Sequence, residues 1–332
     1  MDFDPPLAST YRSLLEGMDS SEDHVAEVEE CELPLIDLAR LSGGAAARER
    51  CMREIAVASS EWGFFQVVNH GVPAERFDRI RSVQLEAFRQ PFESKVNEGF
   101  LDYSSESYRW GNPSATSLQQ LSWSEAYHIS TIPSPPPASP GTLRCTIEEY
   151  ASSVSELAQK LGEILAEHLG CRRSYFEEVC SSSTSYLRLN RYPPCPAPSR
   201  VLGMIAHTDS AFLTILHQDK VGGLQLRKGE RWVAVKPIPH SLVVNIGDLL
   251  EALSNVEFRS VEHRVMANRE VERFSMAFFL CPSHDTVIES VRKPSVYRPF
   301  SFGEFQHQVQ DDVRTEGYKV GLSRFLVAPR CT

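Results

Sequence analysis

No Cys-x-x-Cys pair occurs in this chain, although it carries eight cysteines, Cys31, Cys51, Cys145, Cys171, Cys180, Cys195, Cys281 and Cys331. Thiols scattered over 332 residues read as free cysteines in a reducing compartment, not as a disulfide framework. No uninterrupted apolar run approaches the roughly 20 residues of a membrane span, so no membrane partner is expected. Basic charge is also in deficit: 34 Lys and Arg stand against 44 Asp and Glu, a net charge of −10. Nucleic-acid binding needs a basic surface, and none is visible. The opening Met-Asp-Phe-Asp-Pro-Pro has neither the basic nor the apolar region of a secretory signal. A cytoplasmic location is therefore expected, with the nucleus also open. Nothing in the sequence sets the oligomeric state.

What is present is an ordinary globular composition, 42% hydrophobic and 23% charged, with ample material for a core. Residues 1–30 hold nine acidic residues against one Arg, and are expected to be a mobile acidic tail with a short helix around Tyr11 to Leu15. Residues 33–140 form an N-terminal region of helices and strands. Within it, Arg48 to Ser60 and Ala74 to Arg89 have helical spacing, and Trp62-Gly-Phe-Phe-Gln-Val-Val-Asn-His-Gly71 reads as a buried strand. The proline-rich stretch Pro133 to Pro140 predicts an extended connector. Residues 141–180 carry an amphipathic helix, with Tyr150, Val154, Leu157, Leu161, Leu165 and Leu169 on one stripe and Gly170 ending it.

Over 181–283 the period switches to two. Strand-like runs at Leu202–His207, Phe212–His217, Gly223–Leu226, Trp232–Lys236, Leu242–Ile246, Arg259–Met266 and Arg273–Leu280 are separated by turn residues. Many short strands predict a mainly β fold with flanking α-helices, a sandwich or jelly roll. Residues 284–332 return to helix, over Phe302 to Thr315.

The β-region holds His207-Thr-Asp209, His263 and Arg273-Phe-Ser275. Two imidazoles and a carboxylate can occupy one face of an octahedral metal and leave three positions open, an arrangement suited to non-haem Fe(II). A His-x-Asp match alone means little, since about one arises by chance in such a chain, and His217-Gln-Asp219 is a second one. That second pair reads as a polar strand end facing water. Alternation supports the first: Ile205, His207 and Asp209 share a side if extended, and His263 shares a face with Val261 and Val265. Arg273 lies on a strand apolar on both faces, and a buried arginine needs a counter-charge. The spacing leaves two partners open, a protein carboxylate such as Asp248 or a ligand dicarboxylate that Ser275 would also bond.

Seven blocks occur together in order: Trp62–Gly71, Asn190-Arg-Tyr-Pro-Pro-Cys195, His207-Thr-Asp209, Gly222-Gly-Leu-Gln225, Asn245-Ile-Gly-Asp248, His263-Arg-Val and Arg273-Phe-Ser275. In this the chain resembles the plant Fe(II)/2-oxoglutarate-dependent dioxygenases, from about Leu33 onward. The resemblance implies a double-stranded β-helix (jelly-roll, cupin-like) core. It also implies that His207, Asp209 and His263 bind Fe(II). On the same basis Arg273 and Ser275 hold the distal carboxylate of 2-oxoglutarate, with Tyr192 and Asn190 assisting. O2 and ascorbate complete the implied cofactor set. Where many relatives have Asn-Tyr-Tyr-Pro this chain has Arg191, which alternates away from Asn190 and Tyr192.

Ser107-Tyr-Arg-Trp-Gly-Asn-Pro113, Leu121-Ser-Trp-Ser-Glu-Ala-Tyr-His-Ile129 and Val313-Arg-Thr-Glu-Gly-Tyr-Lys-Val-Gly321 are similar to blocks of the gibberellin 2-oxidases that act on C20 gibberellins. The implied activity is 2β-hydroxylation of a gibberellin, and the implied partner is that small molecule. Tyr108, Arg109, Trp110, Trp123 and Tyr127 are the candidate substrate contacts. Core packing is the competing role for both tryptophans, and a surface position for Arg109. Action on C19 gibberellins, on another gibberellin position or on a flavonoid stays open, as does a catalytically silent ligand-binding β-helix.

Overall fold

The computed structural model describes residues 3–16, 28–97, 107–112, 115–131, 139 and 141–327. Thirteen strands build two sheets: β1 Glu30–Cys31, β2 Leu35–Asp37, β3 Phe64–Val68, β4 Tyr108–Trp110, β5 Glu125–Ser130, β6 Tyr186–Tyr192, β7 Leu202–His207, β8 Leu213–Gln218, β9 Leu224–Lys228, β10 Arg231–Val235, β11 Leu242–Ile246, β12 His263–Met266 and β13 Arg273–Leu280. The five-stranded sheet runs β1-β10-β9-β12-β7 and the eight-stranded one β2-β3-β11-β8-β13-β6-β5-β4. Apart from the parallel β1–β10 and β2–β3 pairs, neighbouring strands are antiparallel. Side chains from both sheets line one cavity between them. The fold is mainly β with flanking helices, a jelly roll.

Burial alternates along β10 and β12, whereas β11 and β13, covered on both faces, are buried along their whole length. Most of the expected runs over 181–283 end within one or two residues of the observed strands, and one starts four residues later. The run from Arg259 becomes a strand only at His263. Before that, the amide of Arg259 donates to Ser59 O and that of Ser260 to the Glu251 carboxylate, so neither is free for a ladder.

The helix Leu143–His168 packs its Ile147, Tyr150, Val154, Leu157, Leu161 and Leu165 stripe into the main core. The Thr142 hydroxyl caps its start by accepting from the Cys145 amide, and Gly170, at φ +76°, ends it. The proline-rich stretch lies outside the described residues except for Ser139.

The expectation of a mobile tail needs correction for residues 3–16. Short helices occupy Leu7–Thr10 and Arg12–Leu15. Leu7 and Tyr11 are buried against Leu121 and Trp123. Asp4 pairs with Arg191, whose guanidinium also holds Glu125 and Glu272. Two apolar side chains and one ion pair suffice to seat the segment, a pattern too sparse to show as periodicity. Residues 17–27 lie outside the described residues. The seven described cysteines are free. No described helix is long and apolar enough to cross a membrane.

Candidate metal centre and cosubstrate cavity

His207 ends β7 and His263 begins β12, and antiparallel pairing sets these two residues opposite each other. Asp209 follows in the loop, its carbonyl accepting from the Asp248 amide. Each side chain offers one donor atom, and the three atoms lie within 4.8 Å of one another. The Nε2 atoms of His207 and His263 stand 3.5 and 3.6 Å from Asp209 Oδ1.

The surroundings fit a divalent metal. His207 Nδ1 lies 2.8 Å from Ile205 O and His263 Nδ1 lies 3.0 Å from Val261 O. A carbonyl can only accept, so each Nδ1 carries the hydrogen and each Nε2 presents its lone pair to the shared centre. Burial pushes the His263 imidazole down to about 4, which keeps it neutral and able to ligate. The second Asp209 carboxylate oxygen accepts from Thr214 Oγ1 at 2.6 Å and Asn245 Nδ2 at 2.8 Å, which leaves Oδ1 aimed at the centre. Phe64 packs edge-on to the His263 ring, with centroids 5.2 Å apart.

The opposite wall comes from β6 and β13. Tyr186, Arg188, Asn190 and Tyr192 face the same cavity as Phe279, Ala277, Ser275 and Arg273 on the paired strand. Arg273 donates from Nε to Gly222 O and from one terminal nitrogen to Gln218 Oε1, at 3.0 Å for the latter. Its other terminal nitrogen, Nη1, is buried without a hydrogen-bond partner among the described residues. Such an atom is costly unless a ligand satisfies it. Asp248 is not the partner, because its carboxylate takes Lys319, Ser260 and Thr208. Ser275 Oγ accepts from Asn190 Nδ2 at 3.4 Å, and the Tyr192 ring lies 4.9 Å from the guanidinium. A Cβ on Gly203 would meet that tyrosine ring at 2.8 Å, so only glycine lets β7 approach it. The cavity measures about 430 Å³.

The second His-x-Asp pair is elsewhere. His217 packs against Phe77, with centroids 4.7 Å apart, instead of facing water. The Asp219 carboxylate accepts the amides of Val221 and Phe274.

Three of the five proposed substrate contacts also need correction. In the β4–β5 pair Tyr108 lies opposite Tyr127 and Arg109 opposite Ala126. The tyrosines turn into the core, where Tyr108 donates to the buried Glu125 and Tyr127 packs on Phe88. Trp123 is buried beside Tyr11 and donates to Pro194 O at 3.1 Å. None of these three lines the cavity. Arg109 and Trp110 border a smaller cavity of about 220 Å³ that also touches His207. An aromatic strand carries no sequence mark of which face meets the core.

Several cavity residues had no role assigned from sequence. Thr214 and Asn245 orient Asp209, and a lone Asn in Leu242–Ile246 was the available sign. Lys319 pairs with Asp248 and donates to Thr208 O and Ser210 Oγ, bracing the loop that carries Asp209. Thr214→Val is expected to weaken Fe(II) affinity about tenfold, because it removes a hydrogen bond to a ligand oxygen. Metal titration at fixed cosubstrate measures this, and unchanged affinity would deny Thr214 the role.

Comparison with known proteins gives a consistent picture. Residues 183–282 match the 2OG-Fe(II) oxygenase superfamily, and residues 33–145 match the non-haem dioxygenase in morphine synthesis N-terminal family. The chain is 51% identical to gibberellin 2-beta-dioxygenase 8 of Arabidopsis thaliana, over 97% of this chain and 98% of that relative. It is 50% identical to gibberellin 2-beta-dioxygenase 5 of Oryza sativa subsp. japonica, over 97% and 96%. In three dimensions it resembles the crystal structure of JOX2 in complex with 2OG, Fe and JA. The TM-score there is 0.76 at 32% identity, covering 98% of this chain and 99% of that one.

Proposed function

The chain belongs to the 2OG-Fe(II) oxygenase superfamily, and on that premise we propose that it is a gibberellin 2-beta-dioxygenase acting on C20 gibberellins in the cytoplasm. One observation carries the substrate: near-full-length identity of about half to gibberellin 2-beta-dioxygenases from two plants. The C20 preference rests on the blocks at 107–113, 121–129 and 313–321. Their Asn112, Ser122, Val313, Gly317 and Tyr318 border the cavity.

In this reading His207, Asp209 and His263 hold Fe(II), and Arg273 and Ser275 hold the distal carboxylate of 2-oxoglutarate beside Tyr192 and Asn190. When bound there, Fe(II) would supply the O2 chemistry that couples decarboxylation of 2-oxoglutarate to succinate and CO2 with hydroxylation of the substrate, with ascorbate as reductant. The protein's own work is positioning. The Ile205 and Val261 carbonyls orient the imidazoles, and Thr214 and Asn245 orient the carboxylate. Leu216, Leu224 and Val265 make the wall beside them apolar. At the mouth Val313 and Tyr318 are exposed, by 51% and 58%, an apolar rim suited to a polycyclic hydrocarbon skeleton.

The test is incubation with Fe(II), ascorbate and 2-oxoglutarate against C20 gibberellins, C19 gibberellins, jasmonate and flavonoids, with products read by mass spectrometry. C2-hydroxylated C20 gibberellins are expected. Turnover confined to flavonoids or jasmonate would refute the reading, and turnover confined to C19 gibberellins would refute its C20 part.

A further inference from the structure

Arg188 is a second arginine on the cavity wall, and sequence reasoning gave it no role. It lies on the same face of β6 as Asn190 and Tyr192. Arg188 is paired with Ala277, two residues along the strand from the Asn190–Ser275 pair and four from the Tyr192–Arg273 pair, the latter about 13 Å away along the backbone at a strand's rise.

The Arg188 side chain is oriented but not neutralised. Its Nε donates to Asn190 Oδ1 at 2.9 Å, which fixes the plane of the guanidinium. Among the described residues no carboxylate pairs with it, and its two terminal nitrogens make no hydrogen bond. Lys319, also on this wall, differs in having Asp248, Thr208 O and Ser210 Oγ around its ammonium. Arg188 borders both the main cavity and the smaller one beside it, and His207, Met204 and Ile205 line both as well. A planar cation whose terminal nitrogens find no partner among the described residues, lining the same cavities as a candidate metal ligand and apolar Met204 and Ile205, matches an apolar acid whose carboxylate must be held while a C–H reaches the metal.

We propose that Arg188 anchors a carboxylate of the substrate, receiving it on the two terminal nitrogens and so setting which carbon faces the metal centre. The proposal rests on the gibberellin reading for its choice of acid; gibberellins are apolar carboxylic acids. It makes Arg188 a specificity-determining residue, while Arg273 serves the cosubstrate.

The experiment compares a gibberellin acid with its methyl esters in the wild type, Arg188→Gln and Arg188→Lys. KM is measured for both gibberellin and 2-oxoglutarate, and acid binding to the Fe(II)-loaded protein is followed by calorimetry. Arg188→Gln is expected to raise the gibberellin KM about tenfold or more and to abolish the preference for acid over ester. Arg188→Lys should recover part of that preference, and the 2-oxoglutarate KM should move by less than about twofold in both. Retained acid-over-ester preference in Arg188→Gln overturns the proposal. So does a 2-oxoglutarate KM that rises in step, since Arg188 would then only position Asn190. Should the wild type turn over no gibberellin, the functional reading fails separately. The acid and ester comparison then uses whichever acid of the panel binds, jasmonate included. Absence of binding by every acid overturns the anchor itself.

Discussion

Replacing His263 with alanine is expected to take succinate production to background, a loss beyond about a hundredfold, while His217→Ala retains most of it. Losing an outer-shell partner of a metal ligand costs about 10–100-fold in affinity or activity, so losing a ligand must cost more. His263 Nε2 faces Asp209 Oδ1 at 3.6 Å from a strand end held by the Val261 carbonyl, and without it two donors remain. His217 differs because of strand parity. On β8, Thr214 and Leu216 line the cavity, whereas Leu213 and Ile215 belong to the helix-covered core, and His217 continues their face. Its burial pushes the imidazole down to about 4, which gives it the character of a neutral packing residue on Phe77. The measurement is succinate release with matched Fe(II) loading. Equal losses in the two variants would overturn the assignment of the trio.

Arg273→Lys is expected to raise the 2-oxoglutarate KM by about tenfold to a hundredfold, the scale of one or two hydrogen bonds to a charged group. The guanidinium divides its work, with Gly222 O and Gln218 Oε1 fixing one edge and Nη1 left for a ligand. An ammonium has no second edge, so lysine cannot meet the protein contacts and the carboxylate in the same plane. Steady-state kinetics at saturating substrate reads this directly. An unchanged KM would place the cosubstrate elsewhere and leave Arg273 as a structural cation.

Much of the site was legible because β-strands write their faces into the sequence at a period of two. The run Leu202–His207 could be read in this way, whereas Leu242–Ile246 and Arg273–Leu280, buried along their whole length, were legible from their β-rich content and the turn residues that bound them. The same parity separated His263 from its charged neighbours Glu262 and Arg264. Parity was ambiguous where both faces are aromatic or apolar. Tyr108 and Tyr127 went to the core, and the charged Arg109 on the intervening position went to the smaller cavity. The buried side chains Leu7 and Tyr11 were invisible for another reason: an acidic segment with two apolar anchors has no period to detect. Arg188 was within reach, since it stands two positions from Asn190 on one strand. Its significance depends on what surrounds the guanidinium, and that is not a property of the strand.

By itself, then, the sequence determined the chemistry available: two imidazoles, a carboxylate and an arginine on alternating strands of a β-rich chain. The ordered blocks placed that set in a family. Only the tertiary structure decided which polar groups are already satisfied and which are left open. Asp248 is consumed by Lys319, and His217 is turned into packing, whereas Arg273 and Arg188 have nitrogens without partners among the described residues, on the wall of the cavity that also holds the metal trio. The reason is physical. Residue types and parity are local, but the partner of a buried charge comes from strands and helices far away in the chain, and only their packing brings the two together.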